Sequence, residues 1–309
     1  MTATLPQAEE LELPVPWLLG EGRVRARAWG RPGARPILSM HGWLDNAASF
    51  DGLAPRLCAA MDLRIVALDL PGHGLSDRKL GHYHFIDWPA DALAAADALG
   101  WPSFTLMSHS MGAGISTLIA GAVPKRVDQL ILLDGLGPLG DEAKLAPKRL
   151  ARSLRVEARK REVREARAAA GEHSAYPSLD AAIERLLAAT KLTPASARTL
   201  AERGLVETEH GWEWRADPAL RIDSRMRLTE ESVLTFLAAI RCPVLLVRAN
   251  TGWPHDPKMV EARIATLQSR DAPCEVVNLD GNHHVHLDDP ESVAAVVLPF
   301  LRSWQRTDA

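Results

Sequence analysis

Short apolar runs alternate with helical patterns along most of this 309-residue chain, and this alternation restricts the possible folds more than any other feature. Apolar runs rich in Val, Ile and Leu occupy residues 35–40, 63–70, 103–108, 129–134, 243–249 and 274–279. Continuous runs of this kind are typical of strands covered on both faces. Helical patterns occupy residues 49–61, 86–99, 111–122, 258–268 and 290–304. The alternation therefore predicts an α/β fold in which helices cover both faces of a mostly parallel sheet.

The N-terminal region has a different pattern, which predicts a β-hairpin. Residues 11–19 and 23–29 alternate between apolar and polar side chains, and residues 20–22, Gly-Glu-Gly, separate them. Alternation is typical of strands with one solvated face, and a short glycine-containing link is a hairpin signal. Together with the six apolar runs, the two strands of the hairpin give a predicted sheet of eight strands.

A long segment between two predicted core strands departs from the alternation. Residues 138–240 contain no convincing strand and are rich in Ala, Arg, Leu and Glu, which favour helices. We expect a helical cap, or lid, inserted into a core domain formed by residues 1–137 and 241–309. The first helix of the insert is strongly basic from Lys144 to Arg167, which indicates either a solvated surface or a docking face for an acidic partner.

The overall composition gives no indication of a nucleic-acid or membrane partner. The formal net charge is −3, and no apolar run is long enough to cross a bilayer. The acidic N-terminal segment lacks the apolar core of a secretory signal. Cys58, Cys242 and Cys274 lie far apart without a CxxC spacing, so we expect neither a zinc site nor a redox pair. These features favour a cytoplasmic protein without membrane insertion, and they make no prediction of oligomeric state.

The run SHSMG at residues 108–112 lies between an apolar strand and an amphipathic helix. A nucleophile elbow requires this strand–turn–helix context, because the sharp turn directs the serine hydroxyl into a cleft. Small neighbours let the turn close. Gly112 and Gly114 are present, while Ser108 replaces the first glycine of the G-x-S-x-G pattern. The sequence therefore predicts Ser110 as a catalytic nucleophile.

Four further runs accompany this elbow. They are HGWLDN at residues 41–46, DLPGHGLS at 69–76, GWEWRADP at 211–218 and HHVHL at 283–287. On these runs the chain resembles the α/β-hydrolase superfamily over nearly its whole length, and it is most similar to the serine hydrolase-like family. The resemblance implies an α/β-hydrolase fold with an inserted cap, and a Ser-His-Asp triad that needs no cofactor.

The resemblance also implies which groups assist Ser110. The backbone N–H groups of Met111 and Trp43 would form an oxyanion hole for the developing negative charge. Aligning the family pattern with the last loop makes His283 the general base, with His284 as the alternative.

The crowding of His283, His284 and His286 in one loop also suggests a metal site. The proposed triad already accounts for this loop, so the sequence predicts no metal site. We expect His286 to serve in packing and hydrogen bonding.

The orienting acid is the one part of the triad that the sequence leaves open. In most of the superfamily it follows the strand that corresponds to residues 243–249, and Gly252 stands at that position here. Asp134, at the end of the run 129–134, is the favoured substitute, because some members of the superfamily place their acid there. Asp256 is the alternative acid, although an Asp before Pro is also a frequent helix cap. A chain without a working acid is the third possibility.

These features together predict a carboxylesterase-like serine hydrolase. Its substrate would be a small-molecule ester of a small or medium-chain acyl group, cleaved through an acyl-enzyme without metal or cofactor. Two alternatives stay open, because a fold alone does not determine function. One is a non-catalytic ligand-binding protein on the same fold, and the other is a hydrolase of thioester or carbon–carbon bonds.

Overall fold

The computed structural model describes residues 5–17, 20–253 and 256–303 of the chain. Within these ranges the strands are β1 (Glu9–Trp17), β2 (Gly20–Trp29), β3 (Arg35–Met40), β4 (Leu63–Leu68), β5 (Phe104–His109), β6 (Val127–Leu133), β7 (Leu205–Thr208), β8 (Gly211–Trp214), β9 (Val244–Thr251) and β10 (Cys274–Asn282). The α-helices are α1 (Leu53–Ala60), α2 (Trp88–Ala98), α3 (Met111–Ala122), α4 (Ala146–Ala169), α5 (Leu179–Ala189), α6 (Pro194–Gly204), α7 (Glu230–Ala239), α8 (Pro257–Gln268), α9 (Val285–Asp288) and α10 (Pro290–Ser303).

Eight of these strands form one sheet, in the order β1-β2-β4-β3-β5-β6-β9-β10. The strands from β4 to β10 in this order pair in parallel, whereas β1 pairs antiparallel with β2 and β2 pairs antiparallel with β4. The predicted α/β fold with a mostly parallel eight-stranded sheet is therefore confirmed. The first predicted strand continues to residue 19 and the last predicted helix to residue 304; residues 18, 19 and 304 lie outside the described residues.

The strand order places a crevice at the end of β3 and β5. The chain places β4 on one side of β3 and then returns to place β5 on the other side. In open α/β sheets, ligands bind outside the carboxyl ends of the strands where the order reverses in this way. The loops that follow β3 and β5 begin at His41 and Ser110, so two of the sequence motifs meet at this point.

The apolar runs become strands because both of their faces are covered. Alternate residues of a strand point to opposite faces. Leu106 of β5 belongs to an apolar cluster that includes Ile115 of α3, whereas its neighbour Met107 belongs to a second cluster that includes Leu57 of α1. The sheet therefore lies between α2, α3, α7 and α8 on one face and α1 and α10 on the other.

The segment between β6 and β9 contains α4, α5, α6 and α7, and it also contains a β-hairpin. The expectation that residues 138–240 hold no strand was wrong at this point, because β7 and β8 pair antiparallel with each other. Each of these strands has four residues, and in the described part of the chain they belong to no larger sheet, so their sequence carries little strand signal. Packing accounts for the hairpin, since Trp212 and Trp214 lie against a small apolar cluster formed by α5 and α6.

The lengths of the helices and the state of the cysteines can be compared with the expectations from composition. In the described ranges, every α-helix is too short or too polar to cross a lipid bilayer. Cys58, Cys242 and Cys274 all have free thiols.

Candidate active site

Ser110 lies at the sharp turn between β5 and α3. Its backbone angles, φ 49° and ψ −111°, are in a region that residues with a side chain rarely adopt. The turn closes tightly over β3, because a Cβ atom on Gly112 would lie 2.3 Å from the carbonyl oxygen of Met40. The hydroxyl of Ser108 is buried and accepts hydrogen bonds from the Met40 amide (3.2 Å) and the Ser116 hydroxyl (2.8 Å). A serine therefore fits where the common pattern has glycine.

His283 connects Ser110 to Asp134 through hydrogen bonds. Its Nε2 atom lies 2.8 Å from Ser110 Oγ, and its Nδ1 atom lies 2.6 Å from Asp134 Oδ2. These residues come from the ends of β5, β6 and β10 and are separated by as many as 173 positions in sequence. The structure thus brings together the three residues that the sequence predicts as nucleophile, base and favoured acid.

Asp134 is held as an anionic acceptor at the end of β6. Its Oδ1 atom accepts a hydrogen bond from the Ala249 amide (2.9 Å), and its Oδ2 atom accepts one from the Trp253 amide (3.1 Å). Burial raises the pKa of Asp134, but the hydrogen bonds from His283, Ala249 and Trp253 outweigh burial, and the pKa lies below its ordinary value. The carboxylate is therefore ionised at neutral pH and able to orient the imidazole.

Gly252 and Asp256 occupy positions that exclude them from this arrangement. A Cβ atom on Gly252 would lie 2.3 Å from Asp134 Oδ2, so the Asp134 carboxylate fills the space beside the usual acid position. Asp256 is exposed and caps α8, where its Oδ1 atom accepts a hydrogen bond from the Lys258 amide (3.0 Å). The alternative acid therefore has a structural role in this geometry. The intervening residues 254 and 255 lie outside the described residues.

Met111 and Trp43, the predicted oxyanion donors, lie on the two loops that flank the crevice. Met111 is the first residue of α3, where backbone N–H groups lack partners within the helix. The hydrogen bond from the Gly112 amide to the His41 carbonyl (3.1 Å) holds the two loops together. Within the described residues, neither the Met111 amide nor the Trp43 amide donates to a protein acceptor. The Trp43 indole is 52% exposed and donates to the Leu220 carbonyl (3.1 Å).

The other histidines of the last loop have different partners. His284 Nε2 lies 3.2 Å from Asp45 Oδ2, and His286 Nε2 lies 2.6 Å from Ser49 Oγ. Burial lowers the pKa of His286 well below its ordinary value, so this side chain is neutral. The geometry thus separates His283, which faces Ser110, from the alternative base His284.

Asp45 and His109 are site residues that the sequence reasoning did not single out. His109 ends β5 next to Ser110, and its Nδ1 atom lies 3.6 Å from Asp45 Oδ2. Burial lowers the pKa of His109 to about 4. Both residues belong to runs that the resemblance had marked, but neither run shows that they meet.

An α/β sheet with a strained serine, a histidine and a carboxylate at its strand ends defines a class of hydrolase-like proteins. The family model described as the alpha/beta hydrolase fold matches residues 35–290. The chain therefore belongs to the α/β-hydrolase family.

Within this family, the chain is similar to relatives of comparable length that are named as serine hydrolases or serine hydrolase-like proteins. The serine hydrolase-like protein of Danio rerio is 31% identical over 301 residues, which cover 96% of this chain and 89% of the relative. A probable serine hydrolase of Drosophila melanogaster is 32% identical, covering 95% and 88%.

Solved structures give the same assignment of fold. A hypothetical protein from Pseudomonas aeruginosa PAO1 is 37% identical with a TM-score of 0.84, covering 96% of this chain and 99% of that chain. The thioesterase domain from the curacin biosynthetic pathway is 25% identical with a TM-score of 0.74, covering 94% and 99%.

Proposed function

We propose that the chain is a serine hydrolase that cleaves a carboxylic ester of a small or medium-chain acyl group through an acyl-enzyme. The observation that supports this most strongly is the continuous hydrogen-bonded chain from Ser110 Oγ through His283 to Asp134 Oδ2, with distances of 2.8 and 2.6 Å. Nucleophile, base and orienting acid in mutual contact are the arrangement that recurs in hydrolases of unrelated folds.

The geometry supports a two-stage reaction. Ser110 Oγ attacks the ester carbonyl while its proton passes to His283 Nε2, and Asp134 stabilises the imidazolium through the Nδ1–H hydrogen bond. The Met111 and Trp43 amides stabilise the oxyanion of the tetrahedral intermediate. His283 then returns the proton to the leaving alcohol, and the acyl group stays on Ser110. A water molecule deprotonated by His283 attacks this acyl-enzyme, which releases the acid and restores Ser110.

Apolar side chains beside the triad favour an ester with an apolar acyl group. The Trp253 ring centroid lies 5.4 Å from that of His283, and the Trp253 side chain is 52% exposed. Trp43 is equally exposed and contacts the inserted segment at Leu220.

The contact between Trp43 and Leu220 also bears on domain organisation. We propose that residues 138–240 act as a cap over a core of residues 1–137 and 241–309. We also propose a cytoplasmic location, which suits the free thiols.

Labelling with a fluorophosphonate tests the nucleophile directly. We expect one probe molecule per chain on the wild type and none on Ser110→Ala. Ser103→Ala is a matched control, because Ser103 lies outside the crevice and contacts Asp128. Absence of labelling in the folded wild type, or equal labelling of Ser110→Ala, would show that Ser110 is not an activated nucleophile.

A substrate panel tests the ester preference. We expect p-nitrophenyl esters of short and medium acyl chains to be hydrolysed with a burst of p-nitrophenol, because this good leaving group makes acylation faster than hydrolysis of the acyl-enzyme. The similarity to a thioesterase domain makes acyl thioesters the second candidate class. If Ser110 is labelled and only thioesters are turned over, the substrate class is thioesters and not carboxylic esters. Labelling without turnover of either class would favour a carbon–carbon bond hydrolase or a non-catalytic binding protein.

A further inference from the structure

Asp45, His109 and His284 form a second polar cluster beside Ser110 and His283. Asp45 Oδ2, His109 Nδ1 and His284 Nε2 all lie within 4.8 Å of one another. These residues come from the loop after β3, the end of β5 and the turn after β10, and their side chains are largely buried. None of the three is a member of the proposed triad.

His109 Nδ1 is a buried polar atom without a hydrogen-bond partner in the described part of the chain. The other ring nitrogen, Nε2, lies 2.8 Å from the His283 carbonyl oxygen, and it must donate because a carbonyl only accepts. Nδ1 therefore presents a lone pair toward Asp45 Oδ2, an acceptor 3.6 Å away. Two acceptors that face each other in a buried site are unfavourable, and a proton or a metal cation between them relieves the repulsion.

We propose that Asp45, His109 and His284 bind a transition-metal dication of the Zn²⁺ type. The distances from Asp45 Oδ2 to His284 Nε2 (3.2 Å) and to His109 Nδ1 (3.6 Å) bracket the edge of a zinc tetrahedron, which is about 3.3–3.5 Å for bonds of about 2.0–2.1 Å. Two imidazoles and one carboxylate are a common ligand set for Zn²⁺, and they leave one position open for water or another ligand.

Two surrounding features suit a bound ion. Metal-binding histidines generally donate their second N–H to a carbonyl or carboxylate, as His109 Nε2 does to His283. Gly42 leaves space beside the cluster, because a Cβ atom there would lie 2.8 Å from Asp45 Oδ2 and 2.9 Å from His109 Nδ1. Any larger residue at position 42 would intrude between these two ligand atoms.

The position of the site gives it a structural consequence. Asp45 lies two residues after Trp43, His109 immediately precedes Ser110, and His284 immediately follows His283. A bound ion would therefore join the three loops that carry the proposed catalytic groups without taking a ligand from the triad. The sequence-based expectation of no metal site considered only the loop that carries the last three histidines, whereas the proposed ligands come from three separate loops.

Titration of the full, chelator-dialysed protein with Co²⁺ tests the proposal independently of any hydrolytic activity. We expect one Co²⁺ per chain with the visible absorption of a tetrahedral site, displaced by Zn²⁺. Asp45→Asn and His284→Gln should each weaken binding by more than about 100-fold, since each removes a direct ligand. His210→Gln is the matched control, because His210 stacks with His173 on the exposed part of the insert and could chelate adventitiously.

Circular dichroism checks that Asp45→Asn and His284→Gln are folded. The two variants are evaluated separately, so if one misfolds the other still tests the proposal. No saturable Co²⁺ spectrum in the wild type, affinity unchanged in a folded ligand variant, or loss of binding only in His210→Gln would each overturn the proposal. Failure of the hydrolase assays would leave this result unaffected, because the readout is metal binding.

Discussion

The carboxylate that contacts His283 comes from β6, although the more usual position follows β9. Gly252 stands at that usual position, and a Cβ atom there would lie 2.3–2.7 Å from the carboxylate atoms of Asp134. A side chain at position 252 and the carboxylate of Asp134 therefore exclude each other. The glycine that leaves the usual acid position empty is also the residue that makes room for the substitute.

At the residue scale, we predict that Asp134→Asn lowers kcat by about 10³–10⁴-fold with little change in fold, because the amide favours the wrong imidazole tautomer and no longer stabilises the imidazolium. Steady-state hydrolysis of p-nitrophenyl acetate measures this. Asp256→Asn is the control and should stay within a few-fold of wild type, since Asp256 caps α8. The reverse pattern would assign the acid to Asp256.

At the element scale, the strand ends of the sheet store backbone strain around the site. In the described ranges the residues other than glycine with positive φ are Leu44 (66°), Ser110 (49°) and Asp134 (43°). They lie beyond the carboxyl ends of β3, β5 and β6, three neighbouring strands. Strain of this kind costs about 1–3 kcal/mol per residue and persists where surrounding packing enforces it.

The elbow provides a test of this strain. We predict that Ser110→Gly unfolds with a free energy about 1 kcal/mol higher than that of Ser110→Ala, because glycine alone adopts this backbone without a clash. Urea denaturation of the two variants gives the difference. A more stable alanine variant would mean that the turn is not strained in solution.

The helix α6 is anchored to the core by a buried ion pair. The Arg203 guanidinium contacts Asp69 at 2.9 Å and Glu10 at 2.7 Å, and the side chains of Arg203 and Asp69 are 7% and 0% exposed. Asp69 also accepts hydrogen bonds from the Ala47 and Leu75 amides. α6 is therefore fixed to the loops that surround the site, which restricts where the proposed cap could move.

We predict that Arg203→Met lowers the free energy of unfolding by about 3–5 kcal/mol, because it leaves the Asp69 carboxylate buried without its counter-ion. The control is Arg198→Met on the same helix, whose exposed pair with Asp180 should contribute no more than about 1 kcal/mol. Chemical denaturation of both variants makes the comparison. Similar losses would contradict a special role for the buried pair.

At the scale of the whole molecule, buried neutral histidines make stability depend on pH. Burial lowers the pKa of His41 to about 4 and that of His73 to about 3, and their rings pack 4.9 Å apart. In the unfolded chain, both imidazoles take up a proton below about pH 6.5. In the folded protein, they take up a proton only at about pH 4 or lower. Their contribution to stability is therefore complete above pH 6.5 and is lost as the pH falls through this window.

We predict that the free energy of unfolding falls between pH 7 and pH 5, by up to roughly 1.4 kcal/mol per pH unit for each such histidine. Urea denaturation at a series of pH values measures the slope. His73→Gln should reduce that slope whatever its effect at neutral pH, whereas His210→Gln, at an exposed position, should not. A flat wild-type profile would contradict the prediction.

Much of the fold follows from local pattern. The predicted strands of the main sheet are present, and the predicted helix at residues 111–122 has the same bounds in the structure. These elements have long apolar faces that a single sheet can bury, so their periodicity is strong. The hairpin of β7 and β8 was missed, because its strands are short and are stabilised by tertiary contacts of Trp212 and Trp214 with α5 and α6.

The sequence by itself determined the parallel sheet and the sharp turn at Ser110, because periodicity and turn residues act over a few neighbouring positions. It also reduced the candidate bases and acids for Ser110 to a few histidines and aspartates. Only the tertiary structure decided which carboxylate reaches His283, and only it brought Asp45 and His109 to His284. The reason is physical: parallel strands from distant parts of the chain end at one edge of the sheet, and the contacts made there depend on strand order and loop path. Spacing along the chain does not encode that proximity.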